Sequence, residues 1–451
     1  MLSIAGKDGR WQGRALGNQR LRGTPGTRGN VCYILNTKIG GAMAQVMQWT
    51  SALSTRPSLE AAITEVVDRA NGALHGKADL GLVFVSSVFA SEYPRVMALV
   101  AEKLSIPYVI GCGGGGIVGC DDGAAVQEIE ENPALSLCLA HLPGVDIDTF
   151  WVLDEDLPDL DSPPQAWIDC IGVEPQDNLY FILLSDPYSS RVDELLQGLD
   201  FAYPSAVKLG GLASGRPQRR EGGLFFQNRY CSEGTVGLAL RGNICLKTIV
   251  AQGCRPIGSV LRVTESERNI LMQVESEDEG KPSTTTPLEA LQSIVQTLDP
   301  DDRQLVQNSL FMGIACNPFQ LELKPGDFLV RNLLGVDPRT GAIAVGDRVR
   351  PGQRIQFHLR DAHTSAEDLE LLLQRYQQES GDLSPVGAVM FSCLGRGQHL
   401  YDQANFDSEL FRRYLGEIPL GGFFCNGEIG PIGSNTYLHG YTSVFGIFCQ
   451  P

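Results

Sequence analysis

The apolar positions of this chain fall in short runs of strand length, and the same sequence of neighbours accompanies the runs three times. Leu80 to Ser87 (LGLVFVSS) leads to a segment of helical period, Tyr93 to Leu104 (YPRVMALVAEKL), and then to Ile106-Pro-Tyr-Val-Ile-Gly-Cys-Gly-Gly. Leu179 to Ser185 (LYFILLS) leads to Ser190 to Leu199 (SRVDELLQGL) and Tyr203-Pro-Ser-Ala-Val-Lys-Leu-Gly-Gly. Ala388 to Ser392 (AVMFS) leads to Ser408 to Leu415 (SELFRRYL) and Ile418-Pro-Leu-Gly-Gly. The spacing from serine to glycine is 25 residues for Ser86 to Gly111, 25 for Ser185 to Gly210 and 29 for Ser392 to Gly421. A further strand-like run follows each unit, at Leu135 to Ala140, Thr235 to Leu240 and Ser443 to Phe448. Strand, helix, strand predicts a parallel pair joined by a crossover helix, with ligands gathering beyond the carboxyl ends of the strands. Between the second and third units the pattern turns to hairpins: Phe328 to Val336, a turn at Asp337 to Gly341, Ala342 to Val345, and Arg354 to Leu359.

Composition adds boundaries. The chain has 451 residues and a net charge of −17, and residues 1–42 hold seven basic side chains against one acid, Asp8. This basic leader reads as a disordered tail or an upstream start, with Met43 or Met47 the functional beginning. Its Arg-rich, acid-poor composition also suits an organelle transit peptide, of a plastid for instance. The remaining body is acidic and repels phosphate backbones, so nucleic-acid binding is not expected; Arg216 to Arg220 and Arg348 to Arg354 read as short solvated runs. No apolar run approaches membrane-spanning length, so no membrane partner is expected. Twelve scattered cysteines without a CxxC pair suggest reduced thiols and a cytoplasmic location. Glu275 to Pro287 (ESEDEGKPSTTTP) reads as an acidic linker or long loop, and Asp154 to Gln165 as another acidic, proline-rich loop.

The chemistry-bearing motifs are thin. Gly111 to Gly116 satisfies G-x-G-x-x-G after a strand, but Gly and Asp stand where the helix of a dinucleotide site should begin. The six histidines form no metal-binding array, there is no G-x-S-x-G elbow, and no cofactor or metal is expected. Cys112, Cys393 and Cys425 sit at strand ends and are weak candidates for a reactive thiol, with His399 or His439 as a base; each is equally at home as a small buried hydrophobe. Near the C-terminus, Leu420-Gly-Gly-Phe-Phe-Cys-Asn-Gly-Glu-Ile-Gly-Pro-Ile-Gly433 concentrates five glycines around Asn426 and Glu428. Glu428 could hold a ligand ammonium or fix the glycine loop, and Arg396 could clamp a ligand carboxylate or pair with an acidic neighbour.

The runs GAVMFSCLGRG (387–397), LGEIPLGGFFCNGEIGPIG (415–433) and LHGYTSVFGIF (438–448) closely resemble the C-terminal half of FIST domains, and SSVFASEYPRV, VIGCGGGGIVG, KLGGLASG and VAQGCRPIG resemble the N-terminal half. The resemblance spans about residues 47 to 448. It implies a sensory module that binds small molecules, with amino acids proposed as ligands, found in bacterial signalling proteins and beside an F-box in a ubiquitin-ligase subunit. The leader has no leucine-rich F-box pattern, and no kinase or receiver pattern follows. The expected architecture is mixed α/β: an N-terminal FIST domain over 43–274, the linker over 275–287, and a C-terminal FIST domain over 288–451. The lobes are built from the repeated units plus antiparallel hairpins. The expected function is ligand sensing through an unidentified protein partner, with a thiol-dependent enzyme or a non-catalytic scaffold as alternatives. Ser86, Gly111, Cys112, Ser185, Gly210, Gly211, Ser392, Arg396, Asn426 and Glu428 are expected to line a shared cleft where the glycine turns meet.

Overall fold

A computed structural model describes residues 46–451 apart from 124, 189–190, 216–222, 278–283, 318, 325 and 382. The basic leader and the Arg216 to Arg220 run therefore lie outside the described residues. The fold is mixed α/β, and each of the three predicted units forms the centre of a six-stranded sheet. Leu80–Ser86 pairs in parallel with Tyr108–Gly114, Tyr180–Ser185 with Val207–Leu212, and Pro385–Cys393 with Leu420–Cys425. On the outer side of each first strand lies the run that closes the unit: Leu135–His141, Thr235–Gly242 and Ser443–Cys449, all antiparallel. Beyond these lie Gln48–Ser54, Val145–Val152 and Cys245–Ala251, which open the three repeats.

The sixth and fifth positions of each sheet are filled by a hairpin from another repeat. After Gly114 the chain leaves the first sheet, and its hairpin Gly116–Cys120 with Val126–Glu130 pairs with Leu420–Cys425 of the third. After Cys425 the hairpin Glu428–Ile432 with Asn435–His439 pairs with Val207–Leu212 of the second. After Leu212 the hairpin Leu224–Phe226 with Arg229–Cys231 pairs with Tyr108–Gly114 of the first. The exchange is cyclic, and it accounts for the glycine clusters: each marks a place where one strand pair hands its chain to a neighbouring sheet.

Registration corrects the alignment drawn from spacing. Val83, Leu183 and Met390 stand opposite Gly111, Gly210 and Gly422. Gly422 rather than Gly421 is thus the third equivalent glycine, and Ser86 corresponds to Asp186 and Cys393, not to Ser185 and Ser392. The first crossover is one residue longer than the second, so equal serine-to-glycine counts conceal a one-residue slip. At all three glycines a Cβ would collide with the opposing backbone carbonyl, of Val83, Leu183 or Met390, and Gly210 and Gly422 have φ of +153° and +159°. Only glycine permits both the angle and the approach.

The inner strands are buried on both faces, which is why they read as unbroken apolar runs rather than alternating ones. Leu82, Phe84, Ile182, Leu184, Val389 and Phe391 point into one core shared by the three sheets. Their neighbours face outward against helices: Val83 and Val85 against Leu59–Ala73 and Tyr93–Lys103, Phe181 and Leu183 against Pro164–Ile171 and Val192–Ala202, Ala388 and Met390 against Ala362–Glu379 and Phe406–Leu415. At the centre, Phe84 and Phe423 stack with ring centroids 5.4 Å apart, and Phe391 meets Phe423 edge-on.

In the third repeat the link between Cys245–Ala251 and Ala362–Glu379 is expanded into a seven-stranded sheet, closed into a barrel by pairing of Arg255–Glu267 with Ile270–Ser276. The predicted hairpins are its walls, Phe328–Val336, Ile343–Val345 and Arg354–Leu359, around a core of Ile257, Val263, Leu271, Met312, Ile355 and Phe357. The acidic stretch 275–287 is internal to this sheet: its ends are the paired strands Ile270–Ser276 and Thr284–Thr285, and a capping box from Thr286 and Glu289 starts helix Pro287–Thr297. Asp154 to Gln165 carries a short 3₁₀ turn before the helix that begins at Pro164. Among the described residues no helix is long and apolar enough to cross a membrane.

Gly422→Ala and Gly210→Ala should each cost about 3 kcal/mol or more of stability, because the added methyl must displace a strand carbonyl. Gly172→Ala, at a helix C-cap with φ of +73° and open space around its Cα, carries only the cost of the left-handed conformation, about 1 kcal/mol. Urea midpoints of the three variants provide the comparison, and equal losses would contradict the steric explanation.

Candidate functional site

The three glycine turns do meet, and side chains and backbone fill the place where they meet. Ser214 N donates to Gly113 O at 3.0 Å, Gly115 N donates to Ser214 Oγ at 2.7 Å, and Ser214 Oγ donates to Phe424 O, so one buried hydroxyl joins all three crossings. Leu212 N donates to Gly427 O at 2.8 Å, and Asn426 N to Leu212 O at 3.1 Å. The sequence-selected residues are distributed through this packed region. Ser86 Oγ donates to Asn132 O at 2.9 Å and caps the 3₁₀ turn that follows it. Ser185 shares a hydroxyl–hydroxyl bond of 2.8 Å with Thr235. Cys112 and Cys425 are fully buried; Gly111 and Gly210 make the close strand approaches, and Gly211 packs against the Cys425 thiol. Asn426 alone among the ten is exposed.

Arg396 is fully buried and already occupied. It forms a two-pronged pair with Asp407, at 2.7 Å from Nε to Oδ2 and 3.0 Å from Nη2 to Oδ1, and Nη2 also donates to Tyr401 Oη at 2.6 Å. Ser392 Oγ donates to the same carboxylate at 3.4 Å. Arg360 lies over the Tyr441 ring at 4.6 Å and donates to Gly395 O at 3.0 Å. A second acid, Glu128, meets the start of the Asp407 helix by accepting from Ser408 N at 2.7 Å, and burial, then repulsion from Asp407, pushes its carboxyl up to about 8. Removing one partner of a buried pair leaves an uncompensated charge, so Arg396 holds this corner of the fold together.

Glu428 is buried beside them. Thr442 N donates to Oε2 at 3.0 Å, Oε1 has no hydrogen-bond partner among the described residues, and burial raises the carboxyl to about 8 against the pull of Thr442 and Arg396. The same burial, and next the charge of Glu428, push the Cys393 thiol up to about 12; burial raises Cys112 and Cys425 well above the ordinary range. A thiolate is the reactive form, so these environments oppose nucleophilic chemistry. His439 is no base for them: buried, with Nε2 3.0 Å from Gly430 O, it is pushed down to about 4. His399 is exposed. Among the described residues no cluster of His, Cys, Asp and Glu has the makings of a metal site.

The open space lies elsewhere. A cavity of about 750 Å³ separates the second repeat from the barrel. One wall is helix Val192–Ala202, with Asp193, Glu194 and Asp200, extended by the donated strand Asn435–His439; the other is barrel residues including Arg331, Arg348 and Arg350. None of the ten sequence-selected residues lines it. Several of its charges are fixed. Arg331 Nε pairs with Asp347 at 2.8 Å and Nη1 donates to Leu438 O at 2.7 Å, which ties the barrel to the donated hairpin. Asp200 pairs with buried Lys208 at 2.8 Å and accepts from Thr436 N at 2.6 Å and Thr436 Oγ1 at 2.9 Å. Burial raises the Asp193 carboxyl above its ordinary range, with Arg331 pulling the other way. No motif marks this cavity, because its walls come from three distant segments.

Three linked α/β repeats that exchange hairpins, with a barrel inserted in the third and a polar cavity at the seam, define a multi-repeat α/β module. Residues 79–277 match the FIST N domain and 287–431 the FIST C domain, and the chain belongs to the FIST family. It is 33% identical over 397 residues to an uncharacterized protein of Mycobacterium tuberculosis strain H37Rv, covering 88% of this chain and 98% of that one. A second uncharacterized relative, from Mycobacterium bovis, is 32% identical over 395 residues, 87% of this chain and 97% of the relative. Human F-box only protein 22 matches over 83 residues at 48% identity, 18% of this chain and 21% of that protein. FIST domains are in general sensory and signal-transduction modules.

The Glu428 carboxyl titrates near 4.3 in an unfolded chain and near 8 when folded. Between those values the folded state holds the extra proton, so the contribution of Glu428 to stability falls as pH rises from 5 to 8. Glu428→Gln should remove up to about 1.4 kcal/mol per pH unit of that downward slope; Glu128 adds to the slope in the parent, and buried His358 and His439, pushed down to about 4, oppose it below about pH 6.5. Urea midpoints across the range test it, and identical slopes would show that Glu428 is ionised throughout. Alkylation at pH 7 followed by peptide mapping should leave Cys112, Cys393 and Cys425 unmodified until denaturant is added; rapid native labelling of Cys393 would restore the thiol-enzyme reading.

Proposed function

We propose that this FIST protein is a small-molecule sensor whose ligand occupies the cavity between the second repeat and the barrel, and whose ligand state is read by a protein partner. The observation that carries the reading is the position of the cavity. It is bounded by two separately packed cores, those of the second repeat and of the barrel, and by a hairpin donated from the third repeat. A guest there touches three parts of the fold at once, so its binding energy can alter how the barrel sits and thereby what a partner meets. The volume suits a metabolite-sized ligand, and walls carrying both signs of charge suit an amino-acid-like one. The strand-end residues from Ser86 to Glu428 act in this reading as architecture that fixes the second repeat in place. The described cysteines are free thiols, which fits a cytoplasmic, reducing compartment.

A thermal-shift screen of the common amino acids and related metabolites tests the proposal. A true ligand at one hundred times its Kd should add about 2.7 kcal/mol of stability. Ala315→Trp, which fills the cavity from the barrel wall, should abolish the shift, whereas Asn426→Ala at the exposed crossing should retain it. Stabilisation lost in Asn426→Ala and kept in Ala315→Trp would move the site to the glycine turns.

A further inference from the structure

The lining of the seam cavity also bears on what kind of molecule it takes; this step rests on the reading just given and deepens it. Most of the charged groups there are neutralised within the protein: Arg331 by Asp347, Asp200 by Lys208, and Glu194 by Arg191 at 3.0 Å. Three are not. The guanidinium groups of Arg348 and Arg350 and the carboxyl of Asp193, all on exposed residues at the mouth of the cavity, make no ion pair or side-chain hydrogen bond among the described residues. The two arginines are presented by a fastened loop. Val349 between them is buried in the barrel core, its N donates to Arg268 O at 2.9 Å, and Gly352 N donates to Val263 O at 2.8 Å. Asp347 Oδ1 accepts from Arg348 N, and Gln353 Oε1 accepts from Arg350 N, both at 2.6 Å. With Val349 anchored on one side of the loop, its two neighbours are turned to the other, where both line the cavity.

Once the paired groups are set aside, two exposed guanidinium groups on a fixed backbone and one exposed carboxyl, attracted by Arg331, leave a local excess of positive charge on the rim of the cavity for a guest to meet. Planar guanidinium groups give paired hydrogen bonds to carboxylate or phosphate oxygens, and holding the loop in advance reduces the ordering cost of binding. We infer that the seam cavity binds a net-anionic metabolite, its carboxylate or phosphate group held by Arg348 and Arg350 at the barrel wall and a hydrogen-bond donor on the same molecule meeting Asp193 on helix Val192–Ala202. Such a ligand joins the barrel to the second repeat through charge, and its affinity falls as salt rises.

Isothermal titration of the full chain with glutamate, succinate, glycerol 3-phosphate, alanine and putrescine at low and high salt tests the class, with the carboxylate and phosphate probes separating the two anion sources. The expected result is binding of one or more of the three anionic probes, weakened tenfold or more in the Arg348→Gln, Arg350→Gln double variant. It should be unchanged in Arg339→Gln, a distant exposed arginine in the Asp337 turn. The double variant should melt with the parent, since neither side chain has a partner to lose. Alanine or putrescine binding as well as the anions, with no loss in the double variant and complete loss in Ala315→Trp, would overturn the anionic class while leaving the cavity as a ligand site. Anion binding unaffected by both the double variant and Ala315→Trp would overturn the assignment of the cavity itself.

Discussion

The backbone of one strand passes so close to the carbonyl of its neighbour at Gly111, Gly210 and Gly422 that no side chain fits between them. From that approach follows the rest of the architecture. Each parallel pair runs on past this glycine to Gly114, Leu212 or Cys425 before the chain turns out of its own sheet, and the edge it then joins is that of another repeat. The three crossings lie against one another and share the hydroxyl of Ser214 as donor and acceptor. The shared core, the paired outer helices and the placement of hairpin Glu428–Ile432 with Asn435–His439 against the second sheet all depend on this junction.

The sequence announced the inner strands because burial on both faces makes them continuous apolar runs, and it announced the barrel hairpins because Asp337 to Gly341 is a turn between alternating segments. It concealed what is half-polar. Gln48–Ser54 and Val145–Val152 stand at sheet edges and mix polar with apolar residues, and the donated hairpins look like glycine-rich loops because glycine dominates their crossings. The acidic stretch at 275–287 resembled a linker by composition, yet composition does not reveal that its two ends pair with each other.

The site was less legible than the fold, for a related reason. The most distinctive strings, FSCLGRG and FFCNGEIG, carry unusual residues because they bury them: Arg396 needs Asp407, Glu428 is largely protonated at neutral pH, and Cys393 stays a thiol. Rare residue types in a specific pattern signalled a demanding environment, and the fold supplies one in burial and internal pairing. The cavity draws on ordinary residues, with Asp193 from a crossover helix, Thr436 from a donated strand and Arg348 from a barrel turn that is exposed, as its reading as a solvated basic run expects. Only the folded topology brings them within reach of one molecule.

Cyclic exchange of hairpins also makes the domain boundary drawn by sequence a poor place to divide the protein. A fragment ending near residue 277 keeps the hairpin Gly116–Cys120 but lacks its docking strand Leu420–Cys425, while the complementary fragment keeps Glu428–Ile432 but lacks Val207–Leu212. Each half exposes an unpaired edge that only the other can cover. Recombination at that boundary breaks strand pairings in both products, and a pair of separately expressed halves is a natural starting point for a reporter that becomes whole only when the two are brought together.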